Sequence, residues 1–261
     1  MKIPIYQVDA FTSRLFAGNP AAVCPLTRWP DDETLQAIAA ENNLSETAFF
    51  VPRGNRYHLR WMTPSVEVDL CGHATLATAF VIFSELAPGL DSVAFDTQSG
   101  ELIVRREGEM LAMDFPARPP LPITPHERLI DALGTQPDQV LASRDYLVVY
   151  HDEDQVRTLQ PDMDLVAGLD RFAVIVSAPG KDCDFVSRFF APAQGVNEDP
   201  VTGSAHCTLV PYWSRRLRKS KLHARQVSAR GGELFCEDQG ERVKIAGRSV
   251  LFLKGEIELP D

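Results

Sequence analysis

The chain has 261 residues, of which 44% are hydrophobic, with a formal net charge of −10 at pH 7 and five cysteines. That length suits one large domain or two medium ones with a sizeable core. The charge argues against nucleic acid and anionic membrane as partners, but not against a small acidic substrate, because a helix start can bind an anion locally. The cysteine count is odd and the spacing irregular, which fits reduced thiols in a cytoplasmic protein.

Residues 1–11 alternate like a strand and lack the apolar run and cleavage site of a signal peptide. Strands are predicted at Ile3–Phe11 and Ala21–Leu26. A helix follows from Asp31 to Asn42, capped by Asp31 or Asp32, with Leu35, Ile38 and Ala39 as its apolar stripe. Strand-like runs come next at Thr47–Val51, Tyr57–Met62, Val93–Asp96, Leu102–Arg106 and Met110–Phe115, with Gly54, Gly100 and Gly108 at turns. One helix, His73 to Glu85, interrupts them. Its apolar stretch Ala74–Phe83 falls well short of the roughly 20 residues of a membrane span, so it reads as a buried core helix.

Ala117-Arg-Pro-Pro-Leu-Pro-Ile-Thr-Pro125 packs four prolines into nine residues and reads as a stiff linker. Domains are therefore expected at 1–118 and 119–261, with the last strand, about 250–259, packing on the first. The second half repeats the plan: a short helix Glu127–Leu133, strands at Gln139–Tyr150, Phe172–Ser177 and Phe185–Phe190, a helix from Gly203 to Arg218, and hairpins from Leu222 to Leu259. Two local echoes accompany this. Asp9–Ala17 and Asp184–Ala191 share Ser-Arg-x-Phe-Ala, and Gly72-His-Ala74 parallels Gly203-Ser-Ala205. The expected fold is α+β, with two similar halves, each a β-barrel-like sheet around a central helix and both helix starts facing a cleft.

Three stretches carry candidate chemistry. Gly195-Val-Asn-Glu-Asp-Pro-Val-Thr-Gly-Ser-Ala-His-Cys207 places Asp199 on a proline-stiffened turn before the helix opened by Gly203 and Ser204. The first N–H groups of a helix lack partners inside it and sit at the positive dipole end, so this start could hold a carboxylate beside a proton-transfer group. Asp199-Pro200 could equally be an ordinary turn and cap. In Glu41-Asn-Asn-Leu-Ser-Glu-Thr-Ala-Phe-Phe50, Glu46 lies between a helix end and an apolar strand. It is a surface carboxylate if it faces water, and a general acid/base if it faces a closed cleft. In Asp69-Leu-Cys-Gly-His-Ala-Thr75, Gly72 and His73 open the first buried helix. Gly72 could bind a carboxylate oxygen, and His73 could carry a proton or simply flank the helix end. Cys71 is a thiol acid/base or inert packing.

Other classes lack support. Cys71, His73, His206 and Cys207 show no paired zinc spacing, so no metal is expected. There is no G-x-S-x-G elbow, no G-x-G-x-x-G and no Walker loop, so neither an esterase nor a nucleotide cofactor is indicated.

Asn43-Leu-Ser-Glu-Thr47, Cys71-Gly-His-Ala-Thr75 and Glu198-Asp-Pro-Val-Thr-Gly-Ser-Ala-His206, together with Val8-Asp-Ala-Phe-Thr and Gly18-Asn-Pro-Ala-Ala-Val, resemble the phenazine biosynthesis-like (PhzF-like) family over nearly the whole chain. The resemblance implies a diaminopimelate epimerase-like fold and a cofactor-free isomerisation in a biosynthetic process. It implies Glu46 as the proton-moving residue, assisted by His73 and Asp199, and a small carboxylate substrate lined by Gly72, Gly203 and Ser204. It also implies a possible homodimer. Epimerases and racemases of this fold group use two thiols, one from each helix start, whereas here Pro200, Val201 and Thr202 leave none at the second. The expectation is thus an isomerase. The alternatives are an epimerase or racemase using Cys71, and a non-catalytic carboxylate-binding protein of the same fold.

Overall fold

The computed structural model describes residues 1–125 and 127–259, and the chain divides into two compact units, 1–114 with 246–261 and 115–245.

The first unit begins with β1 (Lys2–Ala10) and β2 (Asn19–Pro25), an antiparallel pair with Ala10 opposite Asn19. Helix α1 (Asp32–Asn42) is capped by Asp31, whose side chain accepts the Thr34 N–H, and it buries the predicted Leu35, Ile38 and Ala39. It crosses over to β3 (Glu46–Arg53), which runs parallel to β2 with Ala21 beside Glu46. Strand β4 (Arg56–Met62) pairs back on β3, and the two-residue β5 (Glu67–Val68) pairs with β4. Helix α2 (Gly72–Val81) follows, then β6 (Ser92–Thr97), β7 (Gly100–Glu107) and β8 (Met110–Pro116). Strand β6 lies parallel to β4, and β6, β7 and β8 form a meander. The chain's last strand, Ser249–Glu258, returns antiparallel to β1.

Helix α2 is the unit's central element and packs against β1, β2, β3, β7 and the last strand. Its small residues permit that close approach. Burying threonines there requires partners, and the helix supplies them internally: Thr75 Oγ1 donates to Cys71 O at 2.6 Å and Thr78 Oγ1 to Ala74 O at 2.7 Å. The predicted helix to Glu85 is α-helical only to Val81. Residues Ile82–Leu86 widen into a π-turn, closed by Ala87 N–H donating to Ile82 O at 2.7 Å.

The second unit starts with the linker, the short β9 (Leu121–Pro122) and helix α3 (Glu127–Leu133). The single strand predicted at Gln139–Tyr150 is instead a hairpin, β10 (Gln139–Ala142) and β11 (Tyr146–Val149), turned by Ser143 N–H donating to Asp145 O. Two short helices escaped the sequence reading, α4 (Glu153–Thr158) and α5 (Met163–Ala167), capped by Asp152 and Asp162. Strand β12 (Val174–Pro179) then runs parallel to β11, β13 (Phe185–Ala191) pairs with it, and the short β14 (Val196–Asp199) pairs with β13. Helix α6 (Gly203–Leu217) leads to β15 (Lys221–Gln226), parallel to β13, then β16 (Gly232–Asp238) and β17 (Arg242–Gly247).

Internally the two units share one connection plan. A hairpin is followed by a helical crossover to a parallel strand, an antiparallel strand, a very short strand, a buried helix, and a strand parallel to the one before the short strand. In this plan α2 and α6 correspond, so the Gly72-His-Ala and Gly203-Ser-Ala echo is structural. The Ser-Arg-x-Phe-Ala echo is not: Ser13 and Arg14 lie in the loop after β1, whereas Ser187 and Arg188 lie in β13, the counterpart of β4.

Helix α6 carries Pro211, which has no N–H to offer the Cys207 carbonyl one turn back. The linker fills that vacancy, with Arg118 N–H donating to Cys207 O at 2.8 Å. Trp213 is buried on the opposite strands, stacked on Phe185 and donating to Ser177 Oγ at 2.9 Å. Among the described residues no helix is long and apolar enough to cross a membrane.

Candidate active site

At the start of α2 three reactive side chains converge. Glu46 is the first residue of β3. His73 is the second residue of α2, and Cys71 is its N-cap, with no side-chain capping bond. The parallel register of Ala21 with Glu46 gives Asn19 and Glu46 the same face, since cross-strand partners share a face and alternate residues return to it. Glu46 Oε2 lies 3.0 Å from His73 Nε2. On the other edge of the ring, His73 Nδ1 lies 3.2 Å from Asn19 Nδ2 and 3.6 Å from Cys71 Sγ. His73 is 6% exposed and the Glu46 side chain 17%, so the pair is largely desolvated while one side of the carboxylate stays reachable.

The electrostatics follow from that packing. Burial works against a charged His73, but the Cys71 sulfur and the Glu46 carboxylate outweigh it and hold the ring's pKa well above the ordinary value. Burial, reinforced by the Glu46 carboxylate, pushes the Cys71 thiol up. Cys71 and His73 are therefore coupled: burial favours the neutral thiol, and the Glu46 carboxylate favours the charged ring. A protonated thiol is a poor nucleophile and a poor base.

The Glu46, Cys71 and His73 donor atoms all fall within 4.8 Å of one another. Cys71 meets the ring at Nδ1, however, and Glu46 meets it at Nε2. One ion can bind only one ring nitrogen, so the trio as arranged does not surround a common point.

In the second unit Asp199 ends β14 and Gly203 and Ser204 open α6. The N-cap of α6 is Thr202, the counterpart of Cys71. Its hydroxyl donates to Asp199 Oδ2 at 2.5 Å. Gln226, at the end of β15, fastens this turn. Its Nε2 donates to Asp199 O at 2.7 Å and Thr202 Oγ1 at 3.2 Å, and its Oε1 accepts the Thr202 N–H at 2.8 Å. The neighbouring Glu198 is held by Arg188 at 2.7 and 3.0 Å, and Arg188 also donates to Val156 O and Leu159 O. Glu198 is therefore a structural ion-pair partner, whereas the Asp199 carboxylate contacts a hydroxyl. Inside α6, His206 is fully buried and directs Nδ1 at Thr202 O, 2.8 Å away. Burial lowers its pKa to about 4, so it is a neutral core histidine.

The structure thus brings Glu46, Cys71, Gly72 and His73 together in one unit, and Asp199, Gly203 and Ser204 together in the other. The sequence reading assigned no role to Asn19, although it stands beside Gly18 in a quoted motif, nor to Gln226 or Thr202.

Two units of this plan, each with a buried helix whose start carries polar chemistry, define the diaminopimelate epimerase-like α+β class. Within it the chain belongs to the phenazine biosynthesis-like (PhzC-PhzF) family, whose profile matches residues 8–255. It is 55% identical to an uncharacterized isomerase of Pseudomonas aeruginosa, over 99% of this chain and 100% of that one. It is 48% identical to a crystal structure of a PhzF-family phenazine biosynthesis protein from Enterococcus faecalis, with a TM-score of 0.97 over 99% of this chain and 100% of that one. A hydroxyproline epimerase from Agrobacterium vitis shares the fold alone, at 10% identity and a TM-score of 0.61 over 100% of this chain and 93% of that one.

Proposed function

We propose that the protein is a cofactor-independent isomerase that moves a proton between carbons of a small carboxylic acid, with Glu46 as the general acid/base. The observation that carries this reading is the buried Glu46–His73 contact of 3.0 Å at the start of α2. A general base needs hydrogen-bond reach of the proton it takes, and His73 is the polar group that contacts its carboxylate. His73 holds a proton that it can lend as charge builds on the substrate. The N–H groups at the start of α2, Gly72 among them, offer donors to a carboxylate or an enolate-like oxygen. In the second unit the same reading gives Asp199 a supporting proton-transfer role. Gly203 and Ser204 receive a carboxylate-binding role, because they open the corresponding helix. The isomerase designation of the Pseudomonas aeruginosa relative supports the reaction class.

A racemase built on Cys71 is the weaker reading. Its thiol is buried and held protonated, and the corresponding position of the second unit is Thr202. The test is solvent deuterium uptake into a panel of small carboxylic acids with an acidic C–H next to a π-system. Uptake at one carbon with migration of the double bond is expected. Tight carboxylate binding with no exchange in any member would point to a non-catalytic binding protein.

A further inference from the structure

Asn19 is fully buried, and it reaches the site by a strictly specified route. The loop between β1 and β2 is anchored by the buried Asp9, whose Oδ2 accepts the Phe16 N–H at 3.0 Å. Gly18 then turns the chain at φ +68, where an added Cβ would stand 2.2 Å from Ala10 O. Only glycine fits, because the backbone conformation and the space both exclude a side chain. The next residue, Asn19, enters β2 opposite Ala10, on the face that also carries Glu46.

The side chain presents its Nδ2 to His73 Nδ1 at 3.2 Å. An amide N–H is a donor only, so a neutral ring that meets it must offer a lone pair at Nδ1, whereas a charged ring is met by the carboxamide oxygen. A neutral His73 then has its proton on Nε2, the nitrogen 3.0 Å from Glu46 Oε2. Cys71 Sγ, 3.6 Å from Nδ1, is too weak a partner to fix the ring alone. The titratable groups facing the ring are Glu46 from β3 and Cys71 from the helix cap. Asn19 comes from β2 and carries no charge.

We propose that Asn19 is a positioning residue, whose carboxamide holds neutral His73 in the tautomer that keeps its proton on Nε2, directed at Glu46. For catalysis this rests on the proton-transfer reading above, but the tautomer is a property of the free protein at any pH where the ring is neutral. A ring with the opposite tautomer would turn a lone pair toward the Glu46 carboxylate and could not return a proton to it or to a substrate beside it.

The experiment is imidazole 15N NMR on the full-length protein, followed through the pH range in which His73 loses its charge. Wild type is expected to show a neutral ring protonated on Nε2. Asn19→Asp places an acceptor against Nδ1. The ring should then keep its charge to higher pH and, once neutral, carry the proton on Nδ1. Asn19→Leu removes the donor and should give a mixture of tautomers. Should Asn19→Leu fail to fold, as judged by its melting curve, the near-isosteric Asp variant carries the test. A wild-type ring protonated on Nδ1, or variants that keep the wild-type tautomer, would overturn the proposal. Deuterium exchange with Glu46→Gln separates the two ideas. An Nε2-protonated ring in a protein whose exchange ignores Glu46 would defeat the proton-transfer reading and leave Asn19's role standing.

Discussion

Glu46 Oε2 and His73 Nε2 face each other across 3.0 Å, both buried, and neither atom is aligned with a hydrogen-bond partner. The contact is close enough to couple their charges but is not a finished hydrogen bond. Leaving buried polar atoms in this state costs free energy.

Cys71→Ala should leave proton exchange largely intact. The thiol lies 3.6 Å from His73 Nδ1, on the far edge of the ring from Glu46, and burial keeps it protonated. A two-base mechanism running through Cys71 would instead lose about two to four orders of magnitude, the usual worth of a general acid/base. Isotope exchange rates with and without the thiol decide between them.

His206 should make the protein acid-sensitive. Its pKa lies at about 4 in the folded state against 6.5 for the free side chain, so between those values the unfolded chain binds more protons. Stability therefore falls as pH drops from 6.5 toward 4 and levels off below, by about 3 kcal/mol in all. His73 acts in the opposite sense: its pKa is raised, so its contribution is full below the unfolded value and fades as pH rises through the folded one. Urea unfolding at a series of pH values should show the acid slope shrink by about one proton in His206→Gln.

Gln226→Leu should destabilise the second unit by about 1–3 kcal/mol, because the Thr202 N–H and the Asp199 carbonyl lose a buried partner. The measurement is chemical denaturation. An unchanged midpoint would mean that the turn holds itself together without Gln226.

Gly18→Ala should cost about 1–3 kcal/mol through strain at φ +68 and a clash with the Ala10 carbonyl. It should also disturb the His73 resonances, because Asn19 is the next residue. A stable variant with unshifted His73 signals would show that the turn does not set Asn19.

Much of this was legible in local sequence. The Asp31 cap, the Leu35, Ile38 and Ala39 stripe, and the starts of α2 and α6 follow from short-range rules that the structure obeys. The carboxylate and the imidazole were visible as candidates, but their 3.0 Å contact comes from the packing of α2 against β2 and β3, which no local pattern encodes. Helices α4 and α5 were missed because they are so short that little periodicity accumulates. Asp152 and Gln155 nonetheless form a capping box that could have been found. The strand predicted through Ser143-Arg-Asp145 failed because a buried Asp145 beside Arg144 interrupts it. Asn19 and Gln226 were silent because an amide's role lies in its partners. His73 is 54 residues from Asn19, and Thr202 is 24 from Gln226.

Glu46 is best tested by following deuterium uptake from solvent into an accepted carboxylic acid, comparing wild type with Glu46→Gln and confirming by melting curves that both are folded. Loss of exchange by about two to four orders of magnitude in the variant is expected. Full exchange in a folded Glu46→Gln protein would contradict the assignment of Glu46 as the residue that moves the proton.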